Sequence, residues 1–290
     1  MKVLITGAAG FIARNLYEQL RDKFDIKPLC RKELDLLDAP AVFNLLKNGR
    51  FDIVIHTATY DAAPKHSTKD PAKVLENNLK MFFNIARCKE YFKKMIYFGS
   101  GAEFGRENWV PQMKEDYFDR FVPPDQYGFS KYIMAKYAQA NKGIYNLRLF
   151  GVFGKYEDWR VRFISNACCQ AVCGMKIKIN QDARFDFLYI DDLVRITEWF
   201  LRNTPKHNIY NICTGKVYDF HSLAEKIIEV SGKKLEIEIQ KEGFRKEYSA
   251  DNSLLLKELK GFKFTPIDEA LKDLYNWYDS NKHIIDKETL

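Results

Sequence analysis

Hydrophobic and polar positions follow two alternating patterns along the first half of the chain. Short apolar runs that end in glycine or polar residues predict buried strands, and longer stretches with apolar residues every three or four positions predict helices. In chain order the predicted strands are KVLITG, DIKPLCR, FDIVIHTAT, KMIYFGSG and IYNLRLFGVFG. The helices between them are FIARNLYEQLRDKF, APAVFNLLKNG, DPAKVLENNLKMFFNIARCKEYF and DQYGFSKYIMAKYAQAN. Strands that alternate with helices predict βαβ units and a parallel sheet.

The pattern changes after about residue 155. A helical stretch precedes KIKINQDARFDFLYIDDLVRITEWFLRN, and NIYNICTG then predicts a further strand of the sheet. The chain closes with FHSLAEKIIEVSG, KLEIEIQ and the helix PIDEALKDLYNWYDSN. We therefore predict an α/β fold with a doubly wound parallel sheet, 1–155 plus 186–213, and a smaller C-terminal lobe, 156–185 plus 214–290. Ligands of such sheets bind at the carboxyl ends of the strands, so the lobe is expected over that edge.

Composition narrows the class of protein. The 290 residues are 46% hydrophobic and 29% charged, as in an ordinary globular chain. The net charge of +7 comes from lysines and arginines scattered among acids, which argues against a nucleic-acid partner. No apolar run approaches the roughly 20 residues of a membrane helix, and the N-terminus does not resemble a signal peptide. The six cysteines form no C-x-x-C pair, so we expect reduced thiols, no metal site and a cytoplasmic location.

The first motif with chemical meaning is TGAAGFIARN, between the first strand and the first helix. Gly7 and Gly10 let the backbone turn tightly, and Ala13 is small enough for close contact between helix and strand. The following helix presents free N–H groups and the positive end of its dipole. We predict that Gly7, Gly10, Phe11 and Ile12 surround the pyrophosphate of a dinucleotide.

The end of the second strand bears on the choice of cofactor. An acidic residue there would accept hydrogen bonds from the adenosine ribose of NAD. This chain instead has Arg31 and Lys32, and no carboxylate appears until Glu33. Two cations suit the 2′-phosphate of NADP, so we predict NADP(H), with NAD(H) as the alternative.

Two further motifs depend on each other. In YGFSK, Tyr127 and Lys131 share one face of a helix that Asp125 is placed to cap, and the ammonium is expected to lower the pKa of the phenol. Ser100, in YFGSGAEFGREN, ends the fourth strand at the edge where the cofactor should lie. Its hydroxyl can hold the oxygen that Tyr127 protonates. Alone, each motif also fits a turn or a surface pair; together they predict a catalytic set.

The motifs TGAAGFIARN, VIHTAT, YFGSGAEFG, YGFSK, LRLFGVFG, FDFLYIDDLV and YNICTG, in this order, resemble the extended short-chain dehydrogenase/reductase family that works on nucleotide sugars. The resemblance extends over nearly the whole chain. It implies a Rossmann-type dinucleotide-binding domain, a nicotinamide cofactor, a substrate-binding C-terminal lobe and a Ser–Tyr–Lys site. It also implies that the cofactor is contacted by Tyr127, Lys131, Asp35, Leu36, Thr57, Ala58 and Asn78.

Within that family, RKELDLLDAPAVFNLLKNGRFDIVIHTAT is most similar to the 4-keto-sugar reductases, the GDP-fucose synthases and dTDP-4-dehydrorhamnose reductases. Family 4,6-dehydratases carry an Asp-Glu pair where this chain has Gly101 and Ala102. GDP-fucose synthases carry a cysteine at the position of Ala102 and a histidine near Arg162, as an acid–base pair for epimerisation. The resemblance therefore implies hydride transfer without either additional reaction. It places substrate contacts at Ser100, Gly101, Ala102, Arg162 and Arg245.

Several departures leave the sugar undefined. Gly151 replaces an asparagine that is frequent in the family, and Phe185-Asp186-Phe187 replaces Arg-Asp-Phe, with Arg184 one place earlier. Arg245 and Lys246 either contact the diphosphate or form an exposed charge run.

The expected function is NADPH-dependent reduction of the 4-keto group of a nucleotide-diphosphate (deoxy)sugar, by a homodimer without nucleic-acid or membrane partners. One alternative is an NAD-dependent nucleotide-sugar 4-epimerase, which would retain its cofactor. Another is a non-catalytic dinucleotide-binding sensor or scaffold, although such proteins commonly lose the tyrosine or the lysine. The nucleotide base, the sugar and the product stereochemistry stay open.

Overall fold

The structure is a computed structural model that describes residues 1–62 and 67–290. The strands of the described residues are β1 (Lys2–Thr6), β2 (Asp25–Leu29), β3 (Ile53–His56), β4 (Lys94–Ser100), β5 (Ile144–Leu149), β6 (Gly151–Phe153), β7 (Ile177–Asp182), β8 (Arg184–Tyr189), β9 (Ile209–Ile212), β10 (Val217–Asp219) and β11 (Ile237–Phe244). The helices are α1 (Phe11–Leu20), α2 (Ala39–Gly49), α3 (Val74–Ala86), α4 (Gln126–Ala140), α5 (Phe163–Val172), α6 (Ile190–Arg202), α7 (Phe220–Ser231), α8 (Ser253–Glu258) and α9 (Ile267–Ser280).

A six-stranded sheet in the order β2-β1-β3-β4-β5-β9 forms the centre of the molecule. All of its strand pairs are parallel, as predicted from the alternation of strands and helices. The chain moves outward from β1 in both directions, which creates a switch point between β1 and β3. Crevices at such points, beyond the carboxyl ends of the strands, are where open α/β sheets bind ligands.

Helices cover both faces of this sheet. Val3 and Ile5 pack on one face with α1 and α6, while Leu4 and Val54 pack on the other face with α2, α3 and α4. Strands that are buried on both sides read as continuous apolar runs, which is why KVLI and IVI carried a strong signal. The predicted doubly wound α/β sheet is confirmed.

The predicted fifth strand was wrong in one respect, because IYNLRLFGVFG forms two strands. β5 belongs to the central sheet, whereas β6 pairs with β8 in a three-stranded sheet of the order β10-β8-β6. At Gly151, the first residue of β6, a Cβ would lie 2.8 Å from the Asp186 carbonyl oxygen. The absence of a side chain lets the two strands approach closely, so the chain leaves the central sheet here.

A separate apolar cluster joins α5, α7 and α9 to β7, which pairs with β11 in a two-stranded sheet. Cys168 and Cys169 are buried in this cluster, as expected for packing residues. The central sheet takes its strands from residues 2–149 and from 209–212, and the cluster is built from segments between residue 153 and residue 285. The exact limits of the two predicted domains stay a prediction.

Candidate active site

Gly7 and Gly10 form a tight turn between β1 and α1. Gly7 has φ +68°, and a Cβ there would lie 2.8 Å from backbone atoms of Ala58, so a side chain would collide. The Gly10 N–H donates to the Gly7 carbonyl at 2.8 Å, and α1 begins at Phe11. Within the described residues, no side chain caps α1 and no acid lies in its first turn. Together with half-buried Ile12, this turn is a suitable seat for an anionic diphosphate.

The end of β2 lies against the same turn, because the Ala8 N–H donates to the carbonyl of the last β2 residue at 3.1 Å. Arg31 and Lys32 follow and are exposed. The Arg31 guanidinium donates to Asp35 Oδ2 at 3.0 and 3.1 Å, while Leu36 is buried beside it. Exposed ion pairs stabilise proteins little, so this guanidinium can exchange the carboxylate for a phosphate.

The end of β3 closes the other side of the turn. The Thr57 hydroxyl donates to the carbonyl of the last β1 residue at 2.6 Å, which brings the Ala58 backbone against Gly7. Asn78, buried on α3, accepts from the Tyr60 N–H at 2.7 Å and donates to the Tyr60 carbonyl at 3.0 Å. This asparagine therefore fixes the segment after β3 beside the turn.

Ser100, Tyr127 and Lys131 converge at the carboxyl end of β4. Ser100 is its last residue, and the other two lie in the first turns of α4, whose N-terminus Asp125 caps through a 2.8 Å hydrogen bond. The Ser100 side chain acts on Tyr127, because it lowers the pKa of the phenol. The Lys131 ammonium donates to the Phe98 carbonyl at 2.9 Å and lies 5.7 Å from the centroid of the Tyr127 ring.

Burial raises the pKa of Tyr127 above its ordinary value, and the charges of Tyr248 and Asp61 act in the same direction. The Ser100 side chain and the charge of Arg162 oppose this shift but are weaker. The expected lowering of the Tyr127 pKa by Lys131 is therefore wrong for the protein alone, since desolvation of the phenolate dominates. The phenol is protonated at neutral pH, as a proton donor must be.

Lys131 is a buried cation. Burial lowers its pKa to about 8, against the charges of Glu103 and Asp61, which raise it. Burial and the Lys131 charge together lower the pKa of His56 to about 3, so that imidazole is neutral. Its Nδ1 atom pairs with the Thr6 hydroxyl at 2.9 Å. This buried lysine lies 5.7 Å from the centroid of the Tyr127 ring.

Tyr248 is a residue of the site that the sequence reasoning missed. A Cβ at Gly101 would lie 2.5 Å from the Tyr248 ring, so this ring fills the space beside the glycine. Trp109 stacks on Tyr248 with ring centroids 4.1 Å apart and donates from Nε1 to the Gly101 carbonyl at 2.9 Å. The Tyr248 hydroxyl donates to the Leu149 carbonyl at 3.3 Å; burial raises the pKa of Tyr248, and the Ser100 side chain opposes this rise. Because Tyr248 is remote from Ser100 in the chain, no local spacing reveals this contact.

Glu103 is a second missed residue. Its side chain is fully buried and accepts from the Ser100 N–H at 3.0 Å, while Ser100 Oγ accepts from the Ala102 N–H at 3.2 Å. This reciprocal arrangement is a capping box at the start of the 3₁₀ turn Gly101–Phe104. The Ser-x-x-Glu spacing is a sequence signal for it.

The cationic side chains that were predicted to contact the substrate lie in different parts of the structure. Arg162 is exposed at the N-cap of α5, and its charge lowers the pKa of Tyr127, which puts it on the side of the catalytic set. Arg245 directly follows β11 and is exposed. Lys246 Nζ donates to the Glu107 carbonyl, so it joins the end of β11 to the loop after β4.

Asp186 has a structural role in this fold. Its Oδ1 accepts from the Thr214 N–H and hydroxyl, both at 2.8 Å, and its Oδ2 accepts from the Gly215 N–H at 2.7 Å. Burial raises its pKa to about 6 although these hydrogen bonds favour the ionised form. The carboxyl group thus holds the loop after β9.

Among residues 1–62 and 67–290, no three His, Cys, Asp or Glu side chains are grouped so as to hold a metal ion. In these ranges the helices are too short or too polar to span a membrane. All six cysteines are free thiols.

The sequence of this chain matches a known protein family and is similar to known proteins. The family model described as the NAD dependent epimerase/dehydratase family matches residues 3–213. An ADP-L-glycero-D-manno-heptose-6-epimerase from Brachyspira hyodysenteriae is 27% identical over 263 residues, which covers 79% of this chain and 80% of that protein.

Solved structures share the fold over almost the full chain. A GDP-mannoheptose C4 reductase from Campylobacter jejuni with NADP bound superposes with a TM-score of 0.83 at 20% identity, covering 96% of this chain and 98% of that chain. A UDP-glucose 4-epimerase from Thermotoga maritima with UDP-glucose has a TM-score of 0.83 at 21% identity, covering 97% of this chain and 100% of that chain.

Proposed function

The chain belongs to the NAD dependent epimerase/dehydratase family, and from this premise we propose that it reduces the 4-keto group of a nucleotide-diphosphate (deoxy)sugar with NADPH. The observation that carries the proposal is the convergence of Ser100, Tyr127 and Lys131 beside the glycine turn, without a further acid–base pair directly after the serine. Its similarity to a structure described as a GDP-mannoheptose C4 reductase supports the same reaction class.

A nicotinamide cofactor supplies the hydride when it is bound. The structural fit rests on the turn at Gly7, whose position excludes a side chain, and on the uncapped start of α1. Gly7, Gly10, Phe11 and Ile12 would hold the diphosphate, and Arg31 with Lys32 would hold the 2′-phosphate. The remaining proposed contacts are Asp35, Leu36, Thr57, Ala58, Asn78, Tyr127 and Lys131.

The chain's own groups then act on the ketone oxygen. Ser100 Oγ already accepts from the Ala102 N–H, so its O–H can donate to that oxygen. Tyr127, kept protonated by burial, donates its proton to the same oxygen as negative charge develops there. Lys131 would bind the nicotinamide ribose and stabilise the phenolate that remains.

The residues after Ser100 support simple reduction over dehydration. Gly101 has no side chain and is covered by Tyr248, and Ala102 is buried. Glu103 is turned into the protein, where its carboxylate pairs with Arg148 at 2.7 Å. In the described turn after β4, therefore, no acid and base face the substrate side as a pair.

A panel assay tests the function. GDP-, dTDP-, CDP- and UDP-linked 4-keto sugars are incubated with the protein, and NADPH consumption is followed by absorbance. Tyr127→Phe should lower turnover of an accepted sugar by about 100-fold or more with NADPH binding unchanged. Tyr137→Phe is the matched control, since Tyr137 lies on the same helix but packs against Phe82 and Phe83. Wild-type turnover by Tyr127→Phe would refute the assignment.

The preference for NADPH over NADH is tested separately. Arg31→Ala should weaken NADPH binding by about tenfold or more and leave NADH binding nearly unchanged, because only the 2′-phosphate loses its partner. If both cofactors weaken equally, or neither does, Arg31 does not read the 2′-phosphate and NAD(H) becomes the better candidate.

A nucleotide-sugar 4-epimerase is the second candidate function. The observation that favours it is Tyr248, a second phenol whose ring lies against Gly101, beside Ser100, and whose hydroxyl donates to the Leu149 carbonyl at 3.3 Å. Such a phenol could serve as another proton-transfer group. An epimerase oxidises and re-reduces its sugar with cofactor retained, so product forms without net NADPH consumption. Conversion of UDP-glucose without added NADPH would favour this candidate, and stoichiometric NADPH oxidation with a 4-keto sugar would exclude it.

A further inference from the structure

A fully buried ion pair lies directly beneath Ser100. Arg148 Nε is 2.7 Å from Glu103 Oε2, and neither side chain is exposed to solvent. Glu103 belongs to the turn that follows β4, and Arg148 lies on β5, in register with Gly99. Removing two charges from water is costly, and well-packed apolar residues often stabilise such a position equally well. The pair is therefore better explained by what it does for its neighbours than by stability alone.

The hydrogen bonds of the pair lead to the catalytic serine. The Glu103 carboxylate accepts from Asn146 Nδ2 at 3.2 and 3.0 Å and from the Ser100 N–H at 3.0 Å. Arg148 Nη1 donates to Asn211 Oδ1 at 3.1 Å, which anchors the guanidinium to β9. Residues of β4 and β5 thus contact one carboxylate, β9 supports it through Arg148, and the carboxylate holds the backbone of Ser100.

The chain also keeps space for this carboxylate. At Gly99 a Cβ would lie 2.2 Å from Glu103 Oε1 and 2.1 Å from Asn146 Oδ1. The residue before the serine must therefore be small for the carboxylate to reach the end of β4. The Glu103 carboxylate is therefore held by the buried side chains of Asn146 and Arg148 and not by exposed side chains.

We propose that Glu103 is a positioning residue of the active site, which fixes Ser100 through its backbone and compensates the buried Lys131 ammonium. The proposal rests on the reductase function for its effect on turnover. Its effect on the charge of Lys131 is a property of the protein alone.

The charge relation involves groups from every element around the lysine. The Lys131 ammonium donates to the Phe98 carbonyl at 2.9 Å and lies 5.7 Å from the centroid of the Tyr127 ring, while Glu103 accepts from the N–H of Ser100 on the same strand at 3.0 Å. The charges of Glu103 and of Asp61, from the segment after β3, act on Lys131, and the Lys131 charge acts on His56 from β3. Glu103 in turn is close to Arg148, Tyr97 and Tyr248. Burial lowers the pKa of Lys131, and Glu103 opposes this more than Asp61 does, which leaves the value at about 8. Without the carboxylate, the ammonium would lose its proton at lower pH.

Glu103→Gln tests this relation without any substrate. Glutamine keeps the shape and an acceptor for the Ser100 N–H but removes the charge. Titration of Lys131 by ¹⁵N NMR of the lysine side chains, assigned with Lys131→Met, should show its midpoint about one pH unit lower than in the wild type. Glu258→Gln is the control, because Glu258 accepts from the Tyr210 hydroxyl at 2.8 Å without acting on Lys131 charge. The titration midpoint of Lys131 in Glu258→Gln should equal that in the wild type.

A second variant keeps the proposal testable if Glu103→Gln fails to fold with Arg148 left unpaired. Glu103→Gln combined with Arg148→Met removes both buried charges. The Lys131 midpoint should still be lowered. With a 4-keto sugar that the wild type reduces, kcat of the double variant should be lower than that of the wild type by about tenfold or more. The decrease of kcat at alkaline pH should begin at a lower pH than in the wild type, while KM for NADPH stays unchanged.

A folded double variant with the wild-type Lys131 midpoint and wild-type kcat would overturn the proposal. That outcome differs from failure of the proposed function. If the wild type reduces no sugar of the panel, the reductase assignment fails, but the NMR comparison still decides whether Glu103 compensates Lys131.

Discussion

Raising the pH from about 8 to about 10 should stabilise the folded protein through Lys131 while it lowers turnover. Burial lowers the pKa of this lysine from 10.5 to about 8 in the folded state, and the unfolded chain keeps the ordinary value. Between these pH values the unfolded state binds the additional proton, so the free energy of unfolding rises with pH. At about 1.4 kcal/mol for each pKa unit, the complete effect of the difference between 10.5 and about 8 is about 3.5 kcal/mol.

Urea unfolding of the wild type and of Lys131→Met, measured at several pH values from about 7 to about 10, isolates this contribution. Other titrating groups are common to both proteins, so the difference between their free energies of unfolding reports Lys131. The free energy of unfolding of the wild type should increase relative to that of Lys131→Met as the pH rises. Turnover of an accepted sugar should fall over the same range, because the ammonium is lost. Parallel stability curves, or turnover that persists above about pH 9, would refute the reasoning.

Three further predictions concern single side chains. Gly7→Ala should weaken NADPH binding by about tenfold and lower Tm, since φ there is +68° and the new Cβ would collide with backbone atoms. Gly174→Ala is the control for φ alone, because Gly174 has φ +69° but open space around it. Equal effects of the two substitutions on Tm would contradict the collision at Gly7. Burial raises the pKa of Glu157 to about 8, so the wild type loses stability as pH rises from 4.5 through 8. In urea unfolding, the free energy of unfolding of Glu157→Gln should therefore rise by roughly 4 kcal/mol relative to the wild type across that pH range. A difference between the two proteins that does not change with pH would argue against a raised pKa of Glu157. Tyr248→Phe should lower kcat less than about tenfold in a reductase, whereas a loss of about 100-fold would indicate proton transfer by Tyr248 and favour an epimerase.

Much of the central sheet was predictable because its signals are local. Continuous apolar runs indicated β1, β3 and β4, and the glycines after β1 identified the turn before any contact was known. The Tyr127–Lys131 spacing also places both residues on one face of α4 from sequence alone. These features depend on neighbours within one or two turns of the chain.

The missed features depend on partners that are distant in sequence. The departure of β6 from the central sheet follows from its contact with β8 at Gly151, and Tyr248 reaches Ser100 only through tertiary packing. The capping box of Ser100 and Glu103 was readable from spacing, but its partner Arg148 was not. Burial likewise decides the Tyr127 pKa, and no spacing rule supplies the degree of burial.

Transfer of deuterium is the most direct measurement of the proposed reaction. The protein is incubated with a 4-keto nucleotide sugar from the panel and NADPH deuterated at both hydrogens of nicotinamide C4, and the product is analysed by mass spectrometry and NMR. We predict one deuterium at C4 of the sugar for each NADPH oxidised. Product without deuterium at that carbon, or product formed without NADPH oxidation, would contradict reduction of the 4-keto group.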